Sequence, residues 1–225
     1  PYRVQTSSDE YLGYSIIIAT GAASRWLGLE SEKRLIGRGV SSCATCDAPL
    51  FKGADNVVIV GGGDSAMEYA IFTANLVNKV TVIHRRDKLR ASKIMQERAF
   101  SNPKITFVWN SIVTDIIGDN RVKGVKVKNL LTGDETIIPC NAVFVAIGHK
   151  PATDIFKGKI EMDNDGYIIT KDLVKTNVPG VFAAGDVHDK KYKQAITAAG
   201  LGCMAALEAI RYIEEIKVNH NKKTT

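Results

Sequence analysis

An α/β fold on parallel strands is the class this 225-residue sequence predicts, and three observations carry it. Short apolar runs, YSIIIA, NVVIV and AVFVAIG among them, have the length and β-branched content of buried strands. Helical patterns rich in Ala, Met, Leu and Glu alternate with them. Gly-rich corners, TGA, GGG and AGD, close the runs where a strand would hand over to a turn or helix. With 45 % hydrophobic and 24 % charged residues, the composition is that of an ordinary globular chain able to bury a sizeable core. The longest apolar runs, such as YSIIIA and AVFVAIG, read as far too short to span a bilayer, and PYRVQTSSDE carries no leader of basic, apolar and small residues. A cytoplasmic protein away from membranes is therefore the expectation.

In chain order, Tyr14 to Ala19 reads as a buried strand ending at TGA, and Asn56 to Val60 as another ending at GGG. Asp64 to about Val77 has helical composition, Lys79 to His84 is the next strand, and Arg90 to Phe100 a second helix. ITFVW, SIVTDIIGD, RVKGVKVKNL and ETIIPC then form an antiparallel ribbon or meander, with GDNR and TGDE as turns. AVFVAIG returns to the buried type, GHKPAT crosses onward, DGYII is a short strand, and VFAAGD a strand ending on Gly and Asp. The last element, Gln194 to about Ile216, is a long helix in which Gly200 and Gly202 permit close packing, and a solvated tail follows over 218–225.

The glycine triplet has a chemical reading. Gly61, Gly63 and Ala66 form G-x-G-x-x-A between a strand and a helix: the first Gly permits the tight turn, the second lets a pyrophosphate approach the backbone, and Ala66 allows close helix packing. Asp64 and Ser65 open that helix, whose first N–H groups face the phosphates. At the end of the following strand a site for NAD would place an acid for the ribose 2′-hydroxyl, whereas this chain places His84, Arg85 and Arg86, with Arg90 beyond. Guanidinium groups match a dianionic 2′-phosphate, so NADPH is favoured over NADH.

The formal charge of +6 raises the question of nucleic acid, but the basic residues are scattered except for HRRDKLR, and no interleaved aromatics accompany that cluster in the sequence. Cys43 and Cys46 form C-x-x-C, which reads as a zinc half-site, as two structural cysteines or as a redox pair. Zinc lacks a second ligand pair, because Cys140 and Cys203 stand alone with no His at ligand spacing, so no metal is expected. The redox reading gains from the NADPH fingerprint: a dithiol is a two-electron couple and NADPH a two-electron donor, with a flavin as the natural relay.

Taken together, IIIATGA, GRGVSSCATCD, GGGDSAMEYA, HRRDKLRASK, VFVAIGHKPAT, VPGVFAAGDV and KQAITAAGLGCMAALEA resemble, over nearly the whole chain, the low-molecular-weight NADPH-dependent thioredoxin reductases. That resemblance implies a Rossmann-like NADPH domain with the redox C-x-x-C, inserted in an FAD domain. Residues 1–25 would end the first FAD segment, 26–148 form the NADPH domain and 149–217 the returning FAD segment, with hinges near Trp26 and Gly148. It further implies that Cys43 and Cys46 are the redox disulfide, Cys46 facing the flavin and Cys43 attacking thioredoxin, with Asp47 as the acid for a leaving thiolate. Gly185 and Asp186 would contact FAD, and Lys193, Gln194 and Ala195 would lie at the flavin. Thioredoxin is the implied partner, and a homodimer the implied assembly of the full-length protein. The flavoprotein subunit of alkyl hydroperoxide reductase shares these motifs but carries an additional redox domain, and an NADPH-binding module without turnover is the alternative of another class.

Two features depart from the family pattern. The family writes C-x-x-C-D-G, where this chain has Ala48 and a shorter link to the aromatic. The family's own glycine fingerprint for FAD has no counterpart before Cys43. The 225-residue chain alone is therefore expected to purify colourless, to bind NADPH, and to show no NADPH-dependent reduction of thioredoxin, whereas restoring an upstream FAD segment should supply colour and turnover. An absorption spectrum and a thioredoxin assay check this, and stoichiometric FAD with thioredoxin reduction by the chain alone would overturn it.

Overall fold

The structure, a computed structural model, describes residues 1–221. The strands and helices of the first half are β1 (Tyr2–Gln5), β2 (Glu10–Gly13), β3 (Ile16–Ile18), β4 (Ala22–Ser24), α1 (Glu30–Leu35), β5 (Val40–Ser41), α2 (Ala44–Asp47), β6 (Val57–Gly61), α3 (Asp64–Ala74), β7 (Val80–Ile83) and α4 (Lys93–Phe100). There follow β8 (Ile105–Val108), β9 (Ser111–Ile117), β10 (Gly124–Asn129), β11 (Glu135–Pro139), β12 (Ala142–Ala146), β13 (His149–Pro151), β14 (Val181–Ala183) and α5 (Ala195–Asn221). By their contacts Ser24–Gly148 form one compact unit, and Pro1–Ala23 with the chain from His149 onward form another. β4 and β13, at the two crossings between them, pair with each other.

The unit over 24–148 is built on a five-stranded sheet of order β5-β12-β6-β7-β8, parallel throughout. Its central strands are apolar at nearly every position because both faces are covered. Period-two alternation divides them: Val57, Ile59, Val80, Val82 and Phe144 join Ala66, Met67, Ala70 and Ala74 of α3 in one core. Their neighbours Val58, Val60, Ile83, Val143 and Val145 join Leu35 and the apolar residues of β9 and β10 in a second. The one polar side chain on β7, Thr81, is 2 % exposed and donates to Asn56 Oδ1 at 3.0 Å. Asn56 in turn donates to the Pro139 carbonyl at 2.8 Å, so this buried polar chain is satisfied.

Several expectations need correction. ITFVW does not join the ribbon: β8 arrives through the crossover helix α4, which delivers it parallel to β7, and only β9, β10 and β11, linked by short turns, form the antiparallel meander. α4 begins at Lys93 and not at Arg90, because the N–H groups of residues 90–92 bond to the 62–64 turn. DGYII makes only an isolated bridge, Met162 with Ile168, since Asp163 Oδ1 accepts the Asp165 and Tyr167 N–H groups and curls the segment. α5 runs on through Asn221, taking in the first part of the expected tail, and 222–225 lie outside the described residues.

In the other unit β3 and β14 form a two-stranded parallel sheet. Val181 and Ala183 face a cluster with Ile18, Ile168 and Val187, while Phe182 and Ala184 pack on Ala205 and Ala209 of α5. Apolar surface stays exposed here, Ile17 of β3 at 40 % and Ile196 of α5 at 80 %. A Cβ on Gly200 or Gly202 would meet no described atom within 4 Å, so these glycines do not serve close packing among the described residues. α5 over Ala195–Asn219 has the length and apolar composition of a bilayer-crossing helix, which a reading of the strand runs alone overlooked. The described contacts of α5 are those of a helix laid on a sheet, with Glu208 paired to Lys175 and Arg211.

Glu32 fixes the start of the 24–148 unit. Its side chain is wholly buried, and its two carboxylate oxygens accept the Leu27 N–H at 2.9 Å and the Gly28 N–H at 2.8 Å. Replacing Glu32 with Ala strands both donors and should cost about 2–4 kcal/mol, with Glu32→Gln, which keeps one acceptor, losing roughly half as much. Urea unfolding of the three proteins measures this.

Candidate functional site

The C-terminal ends of β12, β6 and β7 converge on the glycine turn, where each glycine has a different reason to be there. Gly61 has φ +154°, and a Cβ on it would lie 2.3 Å from the Ala146 carbonyl oxygen and 3.0 Å from the Ala66 Cβ. This accounts for the tight turn and for Ala66 together. Gly62, which the fingerprint reading passed over, is pressed against the imidazole of His84: a Cβ there would meet ring atoms at 2.3, 2.4 and 2.8 Å. Gly63 is different, because its φ is −96° and a Cβ would meet nothing within 4 Å. The protein leaves the space over Gly63 open, which is what close approach of a pyrophosphate to the N-terminus of α3 requires.

His84 and Asp64, both expected at the nucleotide, engage the protein through their polar side-chain atoms. The His84 ring is 6 % exposed, its Nε2 donates to the Lys88 carbonyl at 3.1 Å, and Trp109 meets it edge to face. Burial holds its pKa below the ordinary value despite the bond to Lys88, and Arg86, Arg90 and Arg85 push it the same way, so the imidazole is neutral at pH 7. Asp64 Oδ1 accepts from both the N–H and the hydroxyl of Ser92, each at 2.8 Å. Ser65 is exposed on the first turn of α3.

Arg85, Arg86 and Arg90 are exposed on the loop between β7 and α4, and not on a helix. They line one side of a 420 Å³ groove that also takes in Gly61, Gly62 and Trp26. The groove thus joins a turn shaped for a pyrophosphate to a cluster of three guanidinium groups, the donor set a phosphorylated dinucleotide needs.

On the same unit Cys43 and Cys46 are joined by a disulfide. Cys43 caps the short α2 and is half-buried, while Cys46 is exposed, with its N–H on Cys43 Sγ at 3.2 Å. The loop before them is held by polar contacts: Cys43 N–H donates to Ser41 Oγ at 3.0 Å, Ser24 donates to Ser42 Oγ at 2.9 Å, and the Tyr69 hydroxyl of α3 donates to the Ser42 carbonyl at 3.0 Å. Asp47 is half-buried at the end of α2. Ala48, where a Gly was expected, has φ −59°, so no glycine conformation is needed there, and the shortened link closes as a 3-10 turn with Phe51 edge-on to Phe144. Cys140 is a free thiol whose pKa burial pushes up to about 12, which keeps it inert, and Cys203 is a free thiol on the surface of α5. Among the described residues no group of three or more His, Cys, Asp or Glu could hold a metal.

In the other unit the turn after β14 places Gly185, at φ +76°, so close to α5 that a Cβ on it would meet the Ala198 Cβ at 3.3 Å. Asp186 follows. Burial raises its pKa, as does nearby Asp189, while Lys193 and His149 oppose the rise. Gln194 accepts from the Thr197 hydroxyl at 2.8 Å through its carbonyl, and Ala195 opens α5 with its side chain exposed. Asp186, Lys193 and the first turn of α5 thus supply an acceptor, donors and an open helix start that fit the polar edge of a flavin.

Residues 3–202 match the family model described as pyridine nucleotide-disulphide oxidoreductase. A protein of Rickettsia conorii named thioredoxin reductase is 52 % identical over 220 residues, covering 96 % of this chain and 71 % of that protein. Thioredoxin reductase 2 of Arabidopsis thaliana is 50 % identical over 232 residues, covering 99 % of this chain and 60 % of that one. Among solved structures, thioredoxin reductase from Streptococcus pyogenes superposes with a TM-score of 0.88 at 43 % identity, over 95 % of this chain and 70 % of that one.

The contact between Gly62 and His84 makes a direct prediction. Gly62→Ala should destabilise the protein by about 1–3 kcal/mol, because neither the turn nor the packed ring can yield. Adding His84→Ala should return at least half of that loss, a non-additivity that a double-mutant cycle by urea unfolding reads directly.

Proposed function

The chain belongs to the pyridine nucleotide-disulphide oxidoreductases and, within them, to the thioredoxin reductases, and we propose that its chemistry is the reduction of the thioredoxin disulfide by NADPH through Cys43 and Cys46. The observation that carries this reading is one unit bearing both a disulfide, between half-buried Cys43 and exposed Cys46, and a glycine turn joined by a groove to three arginines. Gly61, Gly63, Ser65 and Ala66 receive the pyrophosphate at the start of α3, and Arg85, Arg86 and Arg90 the 2′-phosphate. Gly185, Asp186, Lys193, Gln194 and Ala195 hold FAD. Flavins and NADPH are the working cofactors of this family, and the bound flavin supplies a two-electron relay between nicotinamide and disulfide.

What the chain's own residues do is thiol-disulfide exchange. In the reduced dithiol the Cys43 thiolate attacks one sulfur of the thioredoxin disulfide and forms a mixed disulfide, and the departing thioredoxin thiolate takes a proton from Asp47. The Cys46 thiolate then attacks Cys43 Sγ, re-forms the Cys43–Cys46 disulfide and releases thioredoxin with two thiols, so two electrons have moved and both sulfur pairs balance. Ser41, Ser42 and Tyr69 keep the loop in place through the cycle. A reaction of this kind suits the reducing cytoplasm.

The exchange half-reaction can be tested on the chain by itself. Chemically reduced and freed of reductant, it should convert oxidised thioredoxin to the dithiol stoichiometrically, returning to the Cys43–Cys46 disulfide. Cys46→Ser should instead accumulate a covalent adduct through Cys43, and Cys43→Ser none. Mass spectrometry reads all three, and an adduct through Cys46 or Cys203 would overturn the assigned roles.

A further inference from the structure

Residues 90–92 lie against the glycine turn and bond to it at four points. The Gly62 carbonyl accepts the Arg90 N–H at 2.7 Å and the Ala91 N–H at 3.1 Å, and Asp64 Oδ1 accepts the Ser92 N–H and hydroxyl at 2.8 Å each. Ser92 is the N-cap of α4, yet its hydroxyl makes no cap bond to its own helix, because it is turned onto Asp64. At the other end of the loop His84 is locked beneath Gly62 and bonded to the Lys88 carbonyl. The backbone that carries Arg85, Arg86 and Arg90 is therefore fastened on both sides to the turn that shapes the groove.

An acid as the first residue of α3 is a poor choice for contacting phosphates, since its charge repels them. Its placement makes sense if its task is mechanical. We infer that Asp64 is a positioning residue that determines nucleotide specificity: by clasping Ser92 it fixes the arginine loop at the distance from the pyrophosphate turn that a 2′-phosphorylated dinucleotide spans, without touching the nucleotide itself. This rests on the reading of Arg85, Arg86 and Arg90 as the 2′-phosphate site. Two consequences separate it from a simple helix-start role. The clasp needs an acceptor and not a charge, so Asn, whose carbonyl oxygen can accept both Ser92 donors, replaces Asp without loss. And breaking the clasp affects NADPH alone, since NADH does not use the arginine loop.

The test is titration calorimetry of NADPH and NADH on the 225-residue chain and four variants. Asp64→Ala should weaken NADPH binding about tenfold with NADH within twofold of the parent. Asp64→Asn should keep the parental preference, with NADPH bound at least as tightly. Ser92→Ala, which removes one of the two donors and keeps the N–H, should lose about threefold in preference and provides the answer if Asp64→Ala fails to fold. Equal weakening of both nucleotides by Asp64→Ala, or loss of preference in Asp64→Asn, would overturn the inference. The double variant Arg85→Ala with Arg86→Ala distinguishes the two failures. If it loses NADPH selectively while Asp64→Ala and Ser92→Ala do not, only the clasp is wrong, and if it weakens both nucleotides alike, the arginine reading itself falls.

Discussion

The dinucleotide end of the 24–148 unit depends on the absence of a side chain at residue 62. Parallel neighbours in a sheet lie about 4.8 Å apart, so whatever leaves the end of β6 must pass close to the residues that end β7 and β12. Here Gly62 lies against the His84 ring, as Gly61 before it lies against the Ala146 carbonyl, and only bare backbone fits at either position. With no side chain in the way, the Gly62 carbonyl is reached by the N–H groups of Arg90 and Ala91. Strand spacing dictates the glycine, the glycine admits the loop, and the loop places the charges.

α3 connects this end of the unit to the disulfide. Its first residue grips Ser92, and five residues on, its Tyr69 hydroxyl holds the carbonyl of Ser42, one residue before Cys43. Burial raises the Tyr69 pKa, so the phenol stays a proton donor across the physiological range. The alanines at 66, 70 and 74, all buried against the sheet, let the helix sit close enough for both contacts to be made at once. The cysteines show how strongly position governs the same side chain: Cys46 is exposed on the short helix α2, while burial leaves the Cys140 thiol protonated up to about pH 12.

Much of this was legible in the sequence where local chemistry decides the outcome. The buried strands, the turn at Gly61 and Gly63, and the arginine cluster all follow from patterns within a few residues. What was not legible is set by contacts across the chain. Gly62 is required by His84, which lies twenty-two positions away, and no window around the turn contains that information. The fate of Asp64 depends on Ser92 in the same way. The start of α4 had a local signal that composition outweighed: Ser92 directly before Lys93 is a favoured N-cap, and Arg90 and Ala91 look helical only until their N–H groups are seen to be taken elsewhere. ITFVW has the composition of a meander strand, and only its arrival through a helix makes it parallel.

β4 and β13 run side by side, and the Arg25 N–H donates to the Gly148 carbonyl at 2.9 Å, so the two ends of the 24–148 unit meet. For the rest of the polypeptide those residues amount to a detour that begins and ends at nearly one point. Closing such a detour costs entropy that grows only with the logarithm of its length, and an insert whose own ends already touch imposes no stretch on its host. The consequence is genealogical as much as physical. A cassette with abutting ends can enter or leave a host chain, or be exchanged for another of different size, with little disturbance to either part, so the two units are free to diverge at their own pace.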